Sequence, residues 1–544
     1  MSIQVENKFK IIGILLFLLV LLINPFVVQQ LTVQYYIFSL LFLVFGLGCY
    51  FNFFGLGKKV IGVFKYFESH NGWWLLMTQA AIYIFYLLLN QDLLSYQLHA
   101  GSGDGLSYTG FDFSSWTSAL GSIRTVGLPV ILKIYGLVFQ NFHFWPHFQR
   151  LSYILSVFFL YGCFLRFGFN RIFALLVVSL LLWDNADNYI FCDAGTEVFA
   201  AVFLQLTIGS MLLAIRNWNW KTAVSLGVST FFLYQIRPNF AFIPILVPLW
   251  AVGISVIKET FLLARARNIF FRFSLVTILP LFLFCLLRLL VVEQFGVVSM
   301  SGGCLAGHAV HYLNEENIQH LSGDVRMLAD EILVRKRQLT PPNNLSPFEW
   351  ITFVSEEEKV EMEANAFGPN LMTSWDVAIR HLRGVEPFPD PKQNIEPWKH
   401  TLTLSGFHTQ YYNFETDRLL MRFSIAVLTR EWKRYVHWLV GGTFYGMREY
   451  CKSRSWLPWL GFLGIIKLTY FLLANGWDVV RLKCWHRDIA IFLMIAGSIF
   501  VFGFIPIIVF NYPFARLFDW IGIYLLPAVL CFTLPPFWLK REAA

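Results

Sequence analysis

Charge is what this 544-residue chain has least of. Asp, Glu, Lys and Arg make up 14% of it, against roughly 25% in a soluble domain. Apolar residues take their place at 57%, with 57 phenylalanines and 19 tryptophans among them. A chain this poor in charge cannot cover its own surface in water, so a soluble globule is excluded and a polytopic membrane protein is expected. Paired metal-ligand cysteines are also missing, since none of the eight cysteines stands in Cys-x-x-Cys spacing. Four of them (Cys49, Cys163, Cys285 and Cys531) fall inside apolar runs, where a buried thiol is the ordinary outcome. No repeat with a period of roughly 20–50 residues is visible, which excludes solenoids and arrays. No small-residue cleavage site follows the first apolar run, only Asn24-Pro25-Phe26 and a second run. That run is therefore expected to be an uncleaved anchor.

What the chain does have is a series of apolar runs of helix length. A helix of about 20 residues crosses the hydrocarbon layer, and twelve runs meet that need: 11–29, 33–54, 73–90, 149–166, 172–186, 197–215, 221–236, 240–257, 273–292, 457–475, 489–509 and 517–536. The expected fold is an all-α polytopic membrane protein of about twelve transmembrane helices. Lysine and arginine set its orientation, because basic loops resist translocation. With the N-terminus in the cytoplasm, the loops on that side carry Lys8, Lys10, Lys58, Lys59, Lys65, Arg166, Arg171, Arg216, Lys221, Lys258, Arg265, Arg267, Arg272, Arg481, Lys483, Arg487, Lys540 and Arg541. The short loops opposite, 187–196, 237–239 and 510–516, hold only Arg237 and Arg516. The net charge of +8 thus reads as topology and attraction to anionic lipid, not as nucleic-acid binding.

Two segments are too long and polar to be connectors, and both fall on the extracytoplasmic side. Residues 91–147 form the first, within an N-terminal membrane module of 1–295; 296–455 form the second, followed by C-terminal spans in 456–544. The first is rich in Gly, Ser and aromatics, and its stretch from Thr125 is expected to form short helices along the membrane surface. The second holds most of the acidic residues and ends, from Asp417 to Glu449, in apolar residues at helical spacing among Arg418, Arg422, Arg430, Lys433 and Arg434. That pattern predicts a basic amphipathic helix in the headgroup layer. Cys192, Cys304 and Cys451 also face outward, where a disulfide between two of them is open. His308 and His311 stand at i, i+3, but without a third ligand at zinc-like spacing they read as hydrogen-bonding residues.

Certain motifs recur in a telling order. Asp104 lies in Gly101-Ser-Gly-Asp-Gly-Leu-Ser-Tyr108 and is followed by Arg124-Thr-Val-Gly-Leu-Pro129; Asp193-Ala-Gly-Thr-Glu197 opens the sixth span; Ile425-Ala-Val-Leu-Thr-Arg-Glu-Trp-Lys-Arg-Tyr435 precedes the C-terminal spans; and Tyr512-Pro-Phe-Ala-Arg516 precedes the last. In layout and in these short stretches the chain resembles the GT-C superfamily of integral-membrane glycosyltransferases, more closely its bacterial branch that takes sugars from polyprenyl phosphates. Val126 and Leu128 stand where that family's arginine stretch has Pro and Tyr.

The resemblance implies a cavity between the two extracytoplasmic segments, a groove for the donor's isoprenoid tail, and transfer of a sugar to a glycan or lipid acceptor at the outer face of a bacterial inner membrane. Such transfer needs a base for the acceptor proton, and Asp104 is the first choice. Gly103 and Gly105 on either side would allow a sharp turn; an exposed Gly-Asp-Gly turn is the plain alternative. Asp193 and Glu197, one helical turn apart, are read as positioning acceptor hydroxyls or holding a divalent cation, or else as first-turn acids with Thr196 as the cap. No resident metal is assigned. Asp112, Asp184 and Asp187 are further carboxylates of the same side. Arg237 and Arg516, with Tyr512, are the expected contacts of the departing lipid phosphate, because guanidinium grips phosphate oxygens in two-pronged geometry; snorkelling to headgroups is the alternative. Arg288, inside a span, is a weaker candidate, with a pairing to Glu293 as the alternative. Two readings compete with this one: a transporter or flippase for a lipid or amphiphile, and a polysaccharide polymerase or ligase.

Overall fold

The computed structural model describes residues 72–89, 104–139, 142, 144–183, 195–258, 263–339, 412–453 and 484–510, with parts of 371–382 and 522–528. The described residues form helices: α1 (Trp73–Leu89), α2 (Asp104–Thr109), α3 (Trp116–Gly121), α4 (Gly127–Phe139), α5 (Trp145–Phe167), α6 (Arg171–Trp183), α7 (Glu197–Arg216), α8 (Trp220–Ile236), α9 (Ile243–Lys258), α10 (Leu263–Val292), α11 (Ser301–Tyr312), α12 (Glu315–Gln319), α13 (Gly323–Leu339), α14 (Phe414–Arg430), α15 (Trp432–Ser453) and α16 (Cys484–Phe510). Among them, Trp145–Phe167, Glu197–Arg216, Pro238–Lys258, Ala264–Val292 and Arg487–Phe510 are long and apolar enough to cross a membrane. This is a helical membrane protein. The expected spans at 73–90, 149–166, 172–186, 197–215, 221–236 and 240–257 each coincide with a helix; the one at 273–292 begins ten residues earlier, at Leu263. Those at 11–29, 33–54 and 457–475, and most of 517–536, lie outside the described residues.

Local chemistry accounts for the helix ends. Gly168 closes α5 with φ +93°, and Asn170 caps α6 by accepting from the Ile172 and Phe173 amides at 3.0 and 3.2 Å. Asn219 and Thr222 form a reciprocal capping box on α8. Because α5 through α9 alternate in direction, one end of the bundle collects Arg166, Arg171, Arg216, Lys221 and Lys258, where the Lys258 ammonium donates to the Phe167 carbonyl at 3.0 Å. The opposite end carries Glu197 and Arg237.

Two apolar clusters hold the molecule together. The larger joins α1 and α4–α9 to α16, through buried residues such as Tyr153, Leu204, Ile208, Leu233, Trp250 and Ile495. Trp250 also donates its indole N–H to the Ser498 hydroxyl at 2.7 Å, tying α9 to α16. The smaller cluster forms around α11, α13 and α14 from Ala306, Val310, Leu328, Ile332, Leu420, Phe423 and Val427, and takes in Ile123 from the first polar segment.

This second cluster takes in part of the segment expected to be a single amphipathic helix. Residues from Asp417 to Glu449 are two helices broken at Glu431, whose carboxylate accepts from Asn317 at 3.0 Å. The first buries Leu419, Leu420, Phe423 and Val427 against α11 rather than facing lipid. The second lies on the end of α16, where the Tyr435 hydroxyl donates to the Val509 carbonyl at 2.8 Å. The His308 ring packs beside Tyr435 and Trp438, at 5.8 and 5.1 Å between centroids. In the first segment, the stretch from Thr125 forms the single helix α4, with Leu128, Leu132 and Tyr135 buried and Ile134, Leu137 and Val138 exposed.

Candidate functional site

Glu197 is the first residue of α7 and is 3% exposed. Thr196 precedes it without making a side-chain cap bond, so the plain capping role does not hold for that hydroxyl. Its Oγ1 lies instead 3.5 Å from Nη1 of Arg237. Arg237 ends α8 because Pro238 follows: the residue before proline is pushed out of the helical region, and Arg237 stands at φ −136°, ψ 102°. That extended turn swings the side chain toward α7, where its Nη1 meets Glu197 Oε1 at 3.3 Å with both side chains under 10% exposed. Arg237 Nε and Nη2 have no hydrogen-bond acceptor among the described residues.

A chain of contacts joins this pair to the helix that Asp104 opens. Asp104 opens α2, so Asp104 and Gly105 are helical rather than the sharp turn expected of Gly-Asp-Gly. Ser107 and Tyr108, on the same helix, receive Arg124: its Nε donates to Ser107 Oγ at 2.7 Å, and its guanidinium lies 4.8 Å from the Tyr108 ring centroid. Three residues on, Gly127 starts α4 so close to the end of α8 that a Cβ there would stand 2.5 Å from the Gln235 carbonyl carbon and oxygen. Only glycine permits that approach, which gives the glycine of the Arg124-Thr-Val-Gly-Leu-Pro129 stretch a physical reason. Two residues beyond Gln235 is Arg237.

The other expected site residues are distributed differently. Asp193, Asp184, Asp187, Cys192, Tyr512 and Arg516 lie outside the described residues. Asp193, the other member of the expected one-turn pair with Glu197, is thus not placed by the described residues. Asp112 is exposed; the Ser114 amide and hydroxyl donate to it at 2.7 and 2.9 Å and hold its carboxyl below the usual 3.8. Cys304 is buried, and its thiol is pushed up to about 12 by that burial.

Arg288 needs the fullest correction. It is fully buried and does not pair with Glu293, which pairs with Arg418 at 3.4 Å instead. Its Nε donates to the Leu120 carbonyl at 2.9 Å, Nη1 to the Gly296 carbonyl at 2.7 Å, and Nη2 to Ser299 Oγ at 2.6 Å and Gln294 Oε1 at 3.2 Å. Gln294 in turn donates to Asp417 Oδ2 at 2.5 Å. Asp417 Oδ1 accepts from the Gly302 and Gly303 amides at 2.8 and 3.2 Å and from the Tyr412 hydroxyl at 3.1 Å, and so caps α11 from another helix. A Cβ at Gly302 would collide with the Asp417 backbone oxygen. Burial raises the Asp417 carboxyl above its usual 3.8 despite these four donors.

Two residues escape the sequence reading. Arg150 lies inside α5 and is 4% exposed, one turn before Tyr153, whose hydroxyl donates to the Leu181 carbonyl at 2.8 Å near the end of α6. An arginine early in a 23-residue apolar helix whose other arginine, Arg166, lies in the last turn was the signal available for it. Gln235 is fully buried, and neither atom of its carboxamide has a hydrogen-bond partner among the described residues. Two cavities of about 410 Å³ open on the helices: one lined by Trp73, Phe158, Phe159, Cys163 and Arg166, the other by Ala223, Gly227, Phe231, Phe232, Val276 and Pro280. Both are chiefly apolar. Comparison with protein-family models, with curated proteins and with solved structures finds no match. The chemistry of this end of the bundle is therefore argued from its residues.

Proposed function

We propose that this membrane protein is a glycosyltransferase of the GT-C kind, moving a sugar from a polyprenyl-phosphate donor to a glycan or lipid acceptor on the extracytoplasmic face of a bacterial inner membrane. One observation carries the reading: the helix opened by Asp104, Arg124, the start of α4, the end of α8, Arg237 and Glu197 follow one another in contact at a single end of an apolar bundle. Carboxylates and guanidinium groups gathered where apolar helices end suit a substrate that is part lipid and part anion. The proposed layout retains twelve spans with the 91–147 and 296–455 segments outside.

In this reading Asp104 removes the proton of the acceptor hydroxyl as its oxygen attacks the anomeric carbon. The bond from that carbon to the phosphate oxygen breaks, the electron pair stays on the phosphate, and Arg237 together with Arg516 and Tyr512 receives the charge. Glu197, held by Arg237, positions acceptor hydroxyls, with Asp193 as a second carboxylate; a divalent cation between such groups is compatible with the chemistry and is not required by it.

Asp104→Asn is the test. The substitution keeps the size of the side chain and removes the basic carboxylate, so transfer from a polyprenyl-phosphate sugar should fall by roughly 10²–10⁴ while the thermal melt stays at its wild-type value. A folded variant that releases polyprenyl phosphate at the wild-type rate would return Asp104 to a helix-start residue and end the reading of it as the base.

A further inference from the structure

Gln235 has no structural employment that the described residues reveal. It is fully buried, and among the described residues neither its Nε2 nor its Oε1 has a hydrogen-bond partner. A buried amide left in that state carries the desolvation of a donor and an acceptor with nothing in return. A leucine of similar volume would serve packing better.

Its position on α8 indicates what it meets. The groove between α8 and α10 is lined on the α8 side by Ala223, Val224, Gly227, Val228, Phe231 and Phe232, and on the α10 side by Val276 and Pro280. The α8 positions advance by four, so the stripe continues to Gln235 and Ile236. From Ala223 to Phe232 the stripe rises about 14 Å, close to half the hydrocarbon layer. Gln235 follows roughly 4.5 Å beyond its last aromatic ring. Next comes Arg237, with two guanidinium nitrogens lacking acceptors among the described residues. The order along one helix is thus apolar groove, uncommitted amide, cation.

We propose that the Gln235 carboxamide binds the phosphate-sugar junction of a prenyl-phosphate sugar whose hydrocarbon chain lies in this groove. The inference rests on the glycosyltransferase reading and adds to it a residue that recognises the loaded donor. A bare phosphate offers acceptors only and leaves the amide oxygen unpaired. A phosphate ester of a sugar offers a phosphoryl oxygen to Nε2 and a ring hydroxyl to Oε1, and satisfies both atoms. Gln235 therefore favours the glycosylated lipid over the spent lipid phosphate, which helps the product leave.

The experiment uses the full chain in lipid nanodiscs, titrated with a long-chain prenyl phosphate and with the same prenyl phosphate carrying a hexose, for wild type, Gln235→Leu, Gln235→Met and Arg237→Ala. Both Gln235 variants should melt no lower than wild type. They should bind the bare probe about tenfold more weakly, the size of a lost hydrogen bond to a charged group, and the glycosylated probe several-fold more weakly again, because it loses the ring-hydroxyl contact as well. Arg237→Ala should weaken both probes. Wild-type affinity of the folded Gln235 variants for the glycosylated probe overturns the inference and leaves the donor reading standing. Unfolding of both Gln235 variants also overturns it, since the amide would then be structural. Failure of wild type to bind either probe ends the donor reading and this inference together.

Discussion

Arg288 and Arg237 are both buried arginines at the ends of apolar helices, yet their surroundings differ completely. All three nitrogens of Arg288 are occupied, by two carbonyls, a hydroxyl and an amide oxygen, and through Gln294 the network continues to Asp417 and the start of α11. Arg237 has one carboxylate at 3.3 Å, a hydroxyl at 3.5 Å, and two nitrogens without acceptors among the described residues. A guanidinium whose bonds are filled by the protein is a structural joint. One whose bonds are left over has capacity for something else. The contrast teaches that burial of a charge does not by itself point to a site; the unfilled bonds do.

Arg288→Ala should break the comparison most severely. It strands the Leu120 and Gly296 carbonyls and unhooks Gln294 from its partner, so a loss of about 3–5 kcal/mol is expected, the range for removing one member of a buried charged network. Thermal melts and yield of folded protein in detergent measure it, and a variant with wild-type stability would dissolve the distinction between the two arginines. Arg237→Ala strands the buried Glu197 carboxylate and so lowers the melt as well, and in the folded protein it should raise the apparent KM for a polyprenyl-phosphate sugar. A charge-assisted contact is worth about 1.5–3 kcal/mol, tenfold or more in affinity. Unchanged donor affinity would make Arg237 only a partner for Glu197.

A pH titration separates the two regions next. Burial first, then the charges of Lys336 and Arg434, push the His311 imidazole down to about 4. Its folded value therefore lies below the unfolded 6.5, so the stability it contributes is present above pH 6.5 and is lost as the pH falls toward 4, with a slope of at most about one proton. His311→Gln should flatten that part of the profile in the α11–α14 cluster. Asp417, raised above 3.8, acts with the opposite sign, losing stability as pH rises through its own folded value, so the readout is the difference between wild type and variant. The smallest effect is expected next to Asp417 in the chain: Arg418 pairs with Glu293 at 3.4 Å, but the side chains are 45% and 79% exposed. Arg418→Ala should change stability by about 0–1 kcal/mol, falling further in salt.

Composition and periodicity by themselves determined a helical membrane protein, the places of the apolar helices α1, α5–α10 and α16 among the described residues, and the oddity of Arg237. All are local: an apolar run of helix length needs no partner to be recognised, and a cation in an otherwise uncharged short loop stands out against its neighbours. Pro238 even foretells where α8 stops. The break at Glu431, the joint built on Arg288 and the contact of Gly127 with Gln235 were decided only by tertiary structure. Periodicity carried straight through Glu431, because an amphipathic pattern shows that a face is apolar and not whether lipid or another helix covers it. Asp417 is 115 residues from the amide it caps and 123 from the glutamine that binds it. No spacing rule spans such distances, since a hydrogen bond between remote segments exists only once packing has fixed both. In the same way nothing local marks Gln235; it is the fold that encloses it and leaves its amide without a partner among the described residues.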